Sequence, residues 1–388
     1  MCIHAQIENI KLIKHMKIRT IISLITLFSF SINSCKTQQI VPSKIPVPVR
    51  GIWITNVDSQ VMYSKTGIKE AVRICQESGI NHIFVVMWNK GRTLYPSKIM
   101  SETFKIPIEE KLAGRDPLRE MLDEAHAKNI KVYAWFEYGF SAENNGFGKH
   151  ILETKPQWAA LGNDGKVVVK NGFKWMNALD PEVQDFMLSL LKETIVQYPD
   201  LDGIQGDDRL PALPSEYGYN EAVTKQYKIE TGQIAPKNHL DTNWVNWRAE
   251  RLNQFQKRLY FDLKKVNPKI QISMSPSIFP WSKEQYLQDW VTWVREGWVD
   301  MVCPQLYRYD IAKYQKEIQL LVNQQIPKEK LHILSPGVLL KVGTYTPSPT
   351  FLQQMIDENR RNNIQGETFF FYEGIKLHSE FFKKYGNL

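Results

Sequence analysis

Two adjacent carboxylates and a guanidinium end the segment Asp202-Gly-Ile-Gln-Gly-Asp-Asp-Arg-Leu-Pro211, the stretch of this sequence best equipped for chemistry. Acids as close as Asp207 and Asp208 raise the proton affinity of one partner, while Arg209 beside them favours the ionised form of the other. That division suits acid/base and nucleophilic work. A third carboxylate closes the run Tyr133-Ala-Trp-Phe-Glu137. Carboxylates on both sides of a sugar bond are the minimum equipment for glycoside hydrolysis: one protonates the leaving oxygen, and the other attacks the anomeric carbon or activates water. The competing account of the same residues is an acidic pair that caps the next helix or is solvated in a loop.

Other apolar runs end in what a carbohydrate cleft needs, flat aromatic faces and neutral hydrogen-bonding groups. They supply Trp53 and Asn56, Trp88 and Asn89, Trp135, Ser273 and Ser275, Gln305 and Tyr307, and Tyr372 with Glu373; Tyr217 follows the acidic pair in a long loop. Trp135 and Tyr307 are expected to shape sugar subsites, Gln305 and Asn89 to bond hydroxyls, and Arg209 to tune the acids. No metal or other cofactor is expected. A metal-dependent hydrolase would need histidine ligands, but His82 and His126 fall at a strand start and within a helix, and no His-x-His or His-Glu-x-x-His spacing occurs.

The elements that must position these residues alternate. Eight short β-rich runs are expected at Gly51 to Asn56, His82 to Trp88, Lys131 to Glu137, Leu201 to Gly206, Ile270 to Ser275, Asp300 to Leu306, Leu331 to Gly337 and Glu367 to Phe371. Amphipathic helical patterns lie between them. Eight βα units in one run predict an α/β fold, a (β/α)8 TIM barrel forming a single catalytic domain. The longest insertions, Tyr138 to Asp180 and Asp207 to Asn243, follow strands 3 and 4. In a barrel that face carries the active site.

The 388 residues are 43% hydrophobic, 23% charged and 12% aromatic, which excludes disorder, collagen and a multi-span membrane protein. The net charge of +8 is mostly terminal: seven basic residues against one acid in residues 1–50 leave only +2 for the rest. A body so near neutral argues against a nucleic-acid partner. From Met16 a basic stretch, an apolar run from Ile21 to Phe30 and Ser31-Ile-Asn-Ser-Cys35 follow one another. The layout resembles a bacterial lipoprotein signal with Cys35 as the lipidated residue; a plain cleaved signal or a short anchor is the alternative. The expected organisation is an upstream extension and signal over 1–35, a proline-containing tether over 36–49 and the barrel over 50–388. An exported, membrane-anchored and periplasm-facing monomer is expected. Cys75 and Cys303 sit in apolar stretches as two buried thiols or as a disulfide.

Arg50-Gly-Ile-Trp-Ile-Thr55, Leu94-Tyr-Pro-Ser97, Asp116-Pro-Leu with Glu124-Ala-His126, Tyr133-Ala-Trp135, Asp202-Gly-Ile with Asp207-Asp208, Ser273-Met-Ser-Pro276 and Asp300-Met-Val-Cys-Pro-Gln-Leu-Tyr307 together resemble the glycosyl-hydrolase-like 10 family. The resemblance runs in order from Arg50 to about Tyr372. It implies a TIM barrel, a glycosidase, and secreted or lipid-anchored bacterial proteins, some acting on peptidoglycan glycan strands stripped of their peptides. Many relatives carry Asn-Pro where this chain has Glu137-Tyr138, which ranks Asp208 and Asp207 ahead of Glu137, with Glu373 and Asp310 in reserve. The leading expectation is an exported glycoside hydrolase acting on a polysaccharide, cell-wall glycan first. The second is a catalytically inactive barrel that binds glycan as an envelope scaffold.

Overall fold

A computed structural model describes residues 47–385; the expected signal, Cys35 and residues 36–46 of the tether lie outside them. Eight strands form one sheet: β1 (Arg50–Ile54), β2 (His82–Val86), β3 (Lys131–Phe136), β4 (Gly203–Gly206), β5 (Gln271–Met274), β6 (Met301–Val302), β7 (Gly337–Leu339) and β8 (Glu367–Phe370). The ladder runs β6-β5-β4-β3-β2-β1-β8-β7, parallel throughout. Its two ends meet through parallel bridges, Val302 with Leu334 and Gln305 with Gly337. There Ser335 N donates to the Val302 carbonyl at 2.9 Å and Gly337 N to the Pro304 carbonyl at 2.8 Å. The ring has no free edge.

At least one helix follows each strand, and the last α-helix after each is in turn α1 (Lys65–Glu77), α2 (Pro117–His126), α3 (Pro181–Gln197), α4 (Thr242–Val266), α5 (Trp290–Glu296), α6 (Ile311–Leu320), α7 (Pro349–Arg361) and α8 (Ser379–Tyr385). The TIM barrel predicted from the alternation is therefore present. Three helices start alike, with a capping side chain followed by proline. Asp116 accepts from Arg119 N at 3.1 Å, Asp180 from Glu182 N at 2.8 Å and Ser348 from Phe351 N at 3.1 Å. Each cap stabilises by about 1 kcal/mol, and proline at the first helical position withdraws a donor that had no partner.

Two strands differ from expectation. β6 is short because Pro304 has no N–H to extend the ladder. β7 begins later than its apolar run suggests, because Lys328–Ile333 winds into a 3₁₀ helix. Lys330 Nζ ties that turn to the carbonyls of Val294 and Arg295 at 2.6 and 2.8 Å.

A polar chain crosses the barrel interior. Trp53 Nε1 donates to Gln205 Oε1 at 2.6 Å, Gln205 Nε2 to Ser273 Oγ at 3.0 Å, and Ser273 and Thr368 hydroxyls reach Cys303 Sγ at 3.9 and 3.6 Å. Cys303 and Cys75 are both buried free thiols, not a disulfide. Gly203 faces the Tyr133 ring so closely that a Cβ there would overlap it, which is why β4 carries glycine at that register.

The insertions after β3 and β4 are as long as expected. The first folds an antiparallel ribbon, Ser141–Asn144 with Phe173–Trp175, and the second a helix, Glu221–Thr231. Asn220 joins them, accepting from Leu161 N at 3.1 Å and donating to the Ala159 carbonyl at 2.9 Å. Buried Arg248 donates to the carbonyls of Ser215, Tyr217 and His239 and clamps the second loop onto α4.

Candidate active site

β3 and β4 lie in register with Phe136 opposite Gly206, so Glu137 and Asp207 leave the sheet side by side at its C-terminal rim. Arg209 is the hub between the acids. Its Nη2 lies 3.7 Å from Glu137 Oε1 and 3.6 Å from Asp207 Oδ2, and its Nη1 lies 3.5 Å from Asp208 Oδ1. Two oxygens that near to one nitrogen are at most about 7.3 Å apart, short of the roughly 9.5 Å beyond which two carboxylates no longer act across one glycosidic bond. Arg209 Nε also donates to the Glu137 carbonyl at 3.0 Å, and its guanidinium covers the Phe173 ring at 5.2 Å. The backbone permits this approach at Gly139, whose φ of +50° suits glycine and where any Cβ would overlap the Arg209 carbonyl. Phe140 N donates to that same carbonyl at 2.9 Å.

Four further strand ends hold the acids. Asp207 Oδ1 accepts from Gln305 Nε2 at 2.8 Å and Ser275 Oγ at 3.2 Å. Glu137 Oε2 accepts from Asn89 Nδ2 at 3.0 Å and Thr55 Oγ1 at 3.1 Å, and Asn89 donates in turn to Asn56 Oδ1 at 2.8 Å. Burial raises the pKa of Asp207 well above the ordinary carboxylate value, and the neighbouring Asp208 charge adds to the rise. Burial raises Glu137 as well, with the Arg209 charge pulling against it. Burial opposes the Arg209 charge, but the three carboxylates outweigh it and hold the guanidinium protonated. Asp208 is the most open of the three at 30% exposed, although its Oδ1 is itself buried and accepts no hydrogen bond. The arrangement therefore combines two carboxyls inclined to keep a proton with a more accessible third, all tied to one cation.

The strand-end aromatics are placed differently from the sugar platforms expected of them. Trp53 is enclosed in the barrel, Trp135 is buried beside it with ring centroids 6.4 Å apart, and Trp88 is buried against Phe186 with its Nε1 on the Gly139 carbonyl at 2.9 Å. Tyr217 is buried and fastens the two long loops through the Val168 and Phe173 carbonyls. Tyr372 is buried, with its charged neighbours Glu70 and Arg73 on α1. Each packs because a large ring at a strand end has a hydrophobic neighbour within reach on the adjoining element. Tyr307 stays at the site, half-buried, packed on Phe370 at 5.1 Å and within reach of the Asp207 and Asp208 charges. Glu373 accepts from Ser59 Oγ at 2.7 Å, and Asp310 caps α6.

Sequence reading missed Thr55 on the Glu137 carboxylate and the aromatics of the rim loops, Phe147, Phe173, Trp281, Tyr286, Tyr309 and Tyr345. Their signal was available as aromatic residues inside polar insertions after strands. Among the described residues no group of three or more His, Cys, Asp and Glu is arranged to hold a metal ion. His126 sits at the opposite end of the barrel, its Nε2 2.8 Å from Asp202 at the start of β4.

Residues 48–338 match the model of the family described as Glycosyl hydrolase-like 10. The chain is 27% identical over 311 residues to glycosyl hydrolase DigH of Escherichia coli strain K12, covering 70% of this chain and 66% of that protein. It is 25% identical over 293 residues to glycosyl hydrolase YngK of Bacillus subtilis strain 168, covering 67% of this chain and 54% of that one. It thus spans just under two thirds of the first relative and about half of the second. Among solved structures, the PgaB (BpsB) glycoside hydrolase domain from Bordetella bronchiseptica superposes with a TM-score of 0.63 at 11% identity, covering 87% of this chain and 97% of that domain. The catalytic domain of β-amylase from Paenibacillus polymyxa superposes with a TM-score of 0.56 at 8% identity, covering 87% and 98%. These likenesses are of fold.

Proposed function

The chain belongs to the glycosyl hydrolase-like 10 family, and from that premise we propose that it hydrolyses the glycosidic bonds of a polysaccharide by carboxylate acid/base catalysis. The observation that carries the reading is the single guanidinium of Arg209 standing 3.5 to 3.7 Å from three carboxylates at the C-terminal rim of the barrel. Glu137, pushed toward its protonated form by burial, is the proton donor to the leaving oxygen. Asp208, the accessible carboxylate, attacks the anomeric carbon or activates water. Asp207, locked by Gln305 and Ser275, fixes the Arg209 charge between the other two. Thr55 and Asn89 orient Glu137.

The substrate class proposed first is bacterial cell-wall glycan freed of peptide, which the family resemblance implies for some members. Export and lipid anchoring at Cys35 belong to the same proposal and rest on the order of basic, apolar and cysteine residues near the N-terminus. The test is release of new reducing ends from peptide-stripped strands, intact peptidoglycan and a panel of plant and bacterial polysaccharides, with Asp208→Asn and Glu137→Gln beside the wild type. Hydrolysis by wild type, lost in Asp208→Asn with folding and sugar binding kept, supports the reading. Near wild-type hydrolysis by Asp208→Asn overturns the assignment, and glycan binding without product from wild type selects the scaffold instead.

A further inference from the structure

The large aromatics most exposed among the described residues are Phe147, Phe261, Trp281 and Tyr309, and three of these four stand in the insertions that follow β3, β5 and β6, Trp281 at the start of the short helix Trp281–Tyr286. Only Phe261, on α4, is elsewhere. Exposed aromatic area therefore gathers on the face that holds the acids, around the candidate site.

The two largest of these rings are braced from their own rim. Trp281, 44% exposed, leans on Tyr286 with centroids 5.3 Å apart. Tyr286 is itself fixed by Asn171 Nδ2 on its hydroxyl at 2.9 Å and by Lys170 Nζ over its ring at 4.7 Å, and it lies within reach of the Asp208 charge. Tyr309, 62% exposed, meets Tyr345 of the β7 loop edge-on at 4.7 Å. It follows closely on Tyr307, which lies within reach of the Asp207 charge. One pair thus contains an aromatic within reach of the acids, and the other lies two residues along the chain from one. Rings held in place before binding lose little freedom when a flat partner stacks on them.

We propose that the Trp281–Tyr286 and Tyr309–Tyr345 pairs are two outlying sugar-stacking subsites, so that this chain grips a glycan segment longer than the sugars flanking the acids. The inference deepens the glycosidase reading and rests on it for the identity of the ligand. Stacking of a pyranose on an aromatic face is indifferent to linkage, so these subsites supply hold and length preference while the inner polar groups select the sugar.

The experiment uses the full chain in affinity electrophoresis against peptide-stripped peptidoglycan strands, xylan, mixed-linkage glucan and a soluble chitin derivative, followed by cleavage of graded oligosaccharides of whichever polymer binds. Variants are Trp281→Ala, Trp281→Phe, Tyr309→Ala and the control Phe261→Ala. The expected result is retardation of wild type by at least one polymer, weakened about tenfold by Trp281→Ala and by Tyr309→Ala, kept by Trp281→Phe and untouched by Phe261→Ala. KM for long oligosaccharides rises in the two alanine variants while turnover of the shortest cleaved one is unchanged. Equal affinity of wild type and both alanine variants overturns the inference, as do equal losses on short and long chains or retardation by none of the polymers. Binding that depends on Trp281 without any product from wild type leaves the subsites standing and removes the hydrolase reading.

Discussion

Replacing Arg209 with methionine keeps most of its volume and removes the charge that three carboxylates share. At an effective dielectric of about 20, each pair at about 3.6 Å is worth roughly 4 to 5 kcal/mol, before the cost of burying the charges is subtracted. The acids escape the loss by taking up protons, which costs about 1.4 kcal/mol for each unit between solution pH and their new pKa. Glu137 and Asp207 are already raised by burial, and loss of the cation raises them further. A carboxyl whose folded pKa lies above its unfolded one supports the fold below the unfolded value and loses that support as pH rises through the folded value. The variant is therefore destabilised most at alkaline pH, by about 4 kcal/mol at pH 8. At pH 5 the deficit shrinks to about 1 to 2 kcal/mol, the share of the Nε bond to the Glu137 carbonyl and of the stack on Phe173. Thermal unfolding of wild type and Arg209→Met at both pH values reads this as a Tm difference of several degrees that narrows in acid. An equal difference at the two values would refute the picture of three carboxylates held by one cation.

Glu137→Gln lowers kcat/KM on a polysaccharide by about 10² to 10⁴-fold and removes the alkaline limb of the pH profile, since the proton donor is active below its raised pKa; an aryl glycoside with a good leaving group recovers much of the rate. Gly139→Ala both strains a left-handed φ and pushes on the Arg209 carbonyl, so activity and Tm fall together, and an unaltered variant would mean that the loop after β3 does not set the Arg209 position. Trp53→Phe strips Gln205 Oε1 of its donor inside the barrel, and denaturant unfolding should show a loss of about 1 to 3 kcal/mol with kcat little changed. Incubation with a chelator leaves hydrolysis unchanged, and loss restored by a divalent metal would favour metal-dependent chemistry.

The barrel was legible because parallel strands covered on both faces read as continuous apolar runs, and each such run here is followed by a helical period. Pro304 and the 3₁₀ turn over Lys328–Ile333 spoiled the reading where a run continues past the residues that can pair. The acidic cluster was legible for a related reason. An apolar strand runs straight into Asp207-Asp208-Arg209, and the neighbouring strand delivers Glu137 to the same rim. That Arg209 tunes the Asp207–Asp208 pair was legible too; its reach to Glu137 was not, because that depends on the close passage of Gly139, distant in sequence. The aromatics misled for a physical reason. The apolar runs say that Trp53, Trp88 and Trp135 sit near strand ends, but not that Trp53 has Gln205 to bond inside the barrel or that Trp88 has Phe186 to pack on. The open rings were in the insertions, where Trp281 and Tyr309 each have one aromatic neighbour and keep much of their surface exposed.

The central claim is that these acids add water across a glycosidic bond, and it is tested most directly by running the reaction in oxygen-18 water and weighing the products by mass spectrometry. Hydrolysis places one heavy oxygen at each new reducing end, and Asp208→Asn yields no labelled fragment. Fragments that carry no label and have lost the elements of water would mean elimination in place of hydrolysis, and labelled fragments formed equally well by Asp208→Asn would place the chemistry elsewhere in the barrel.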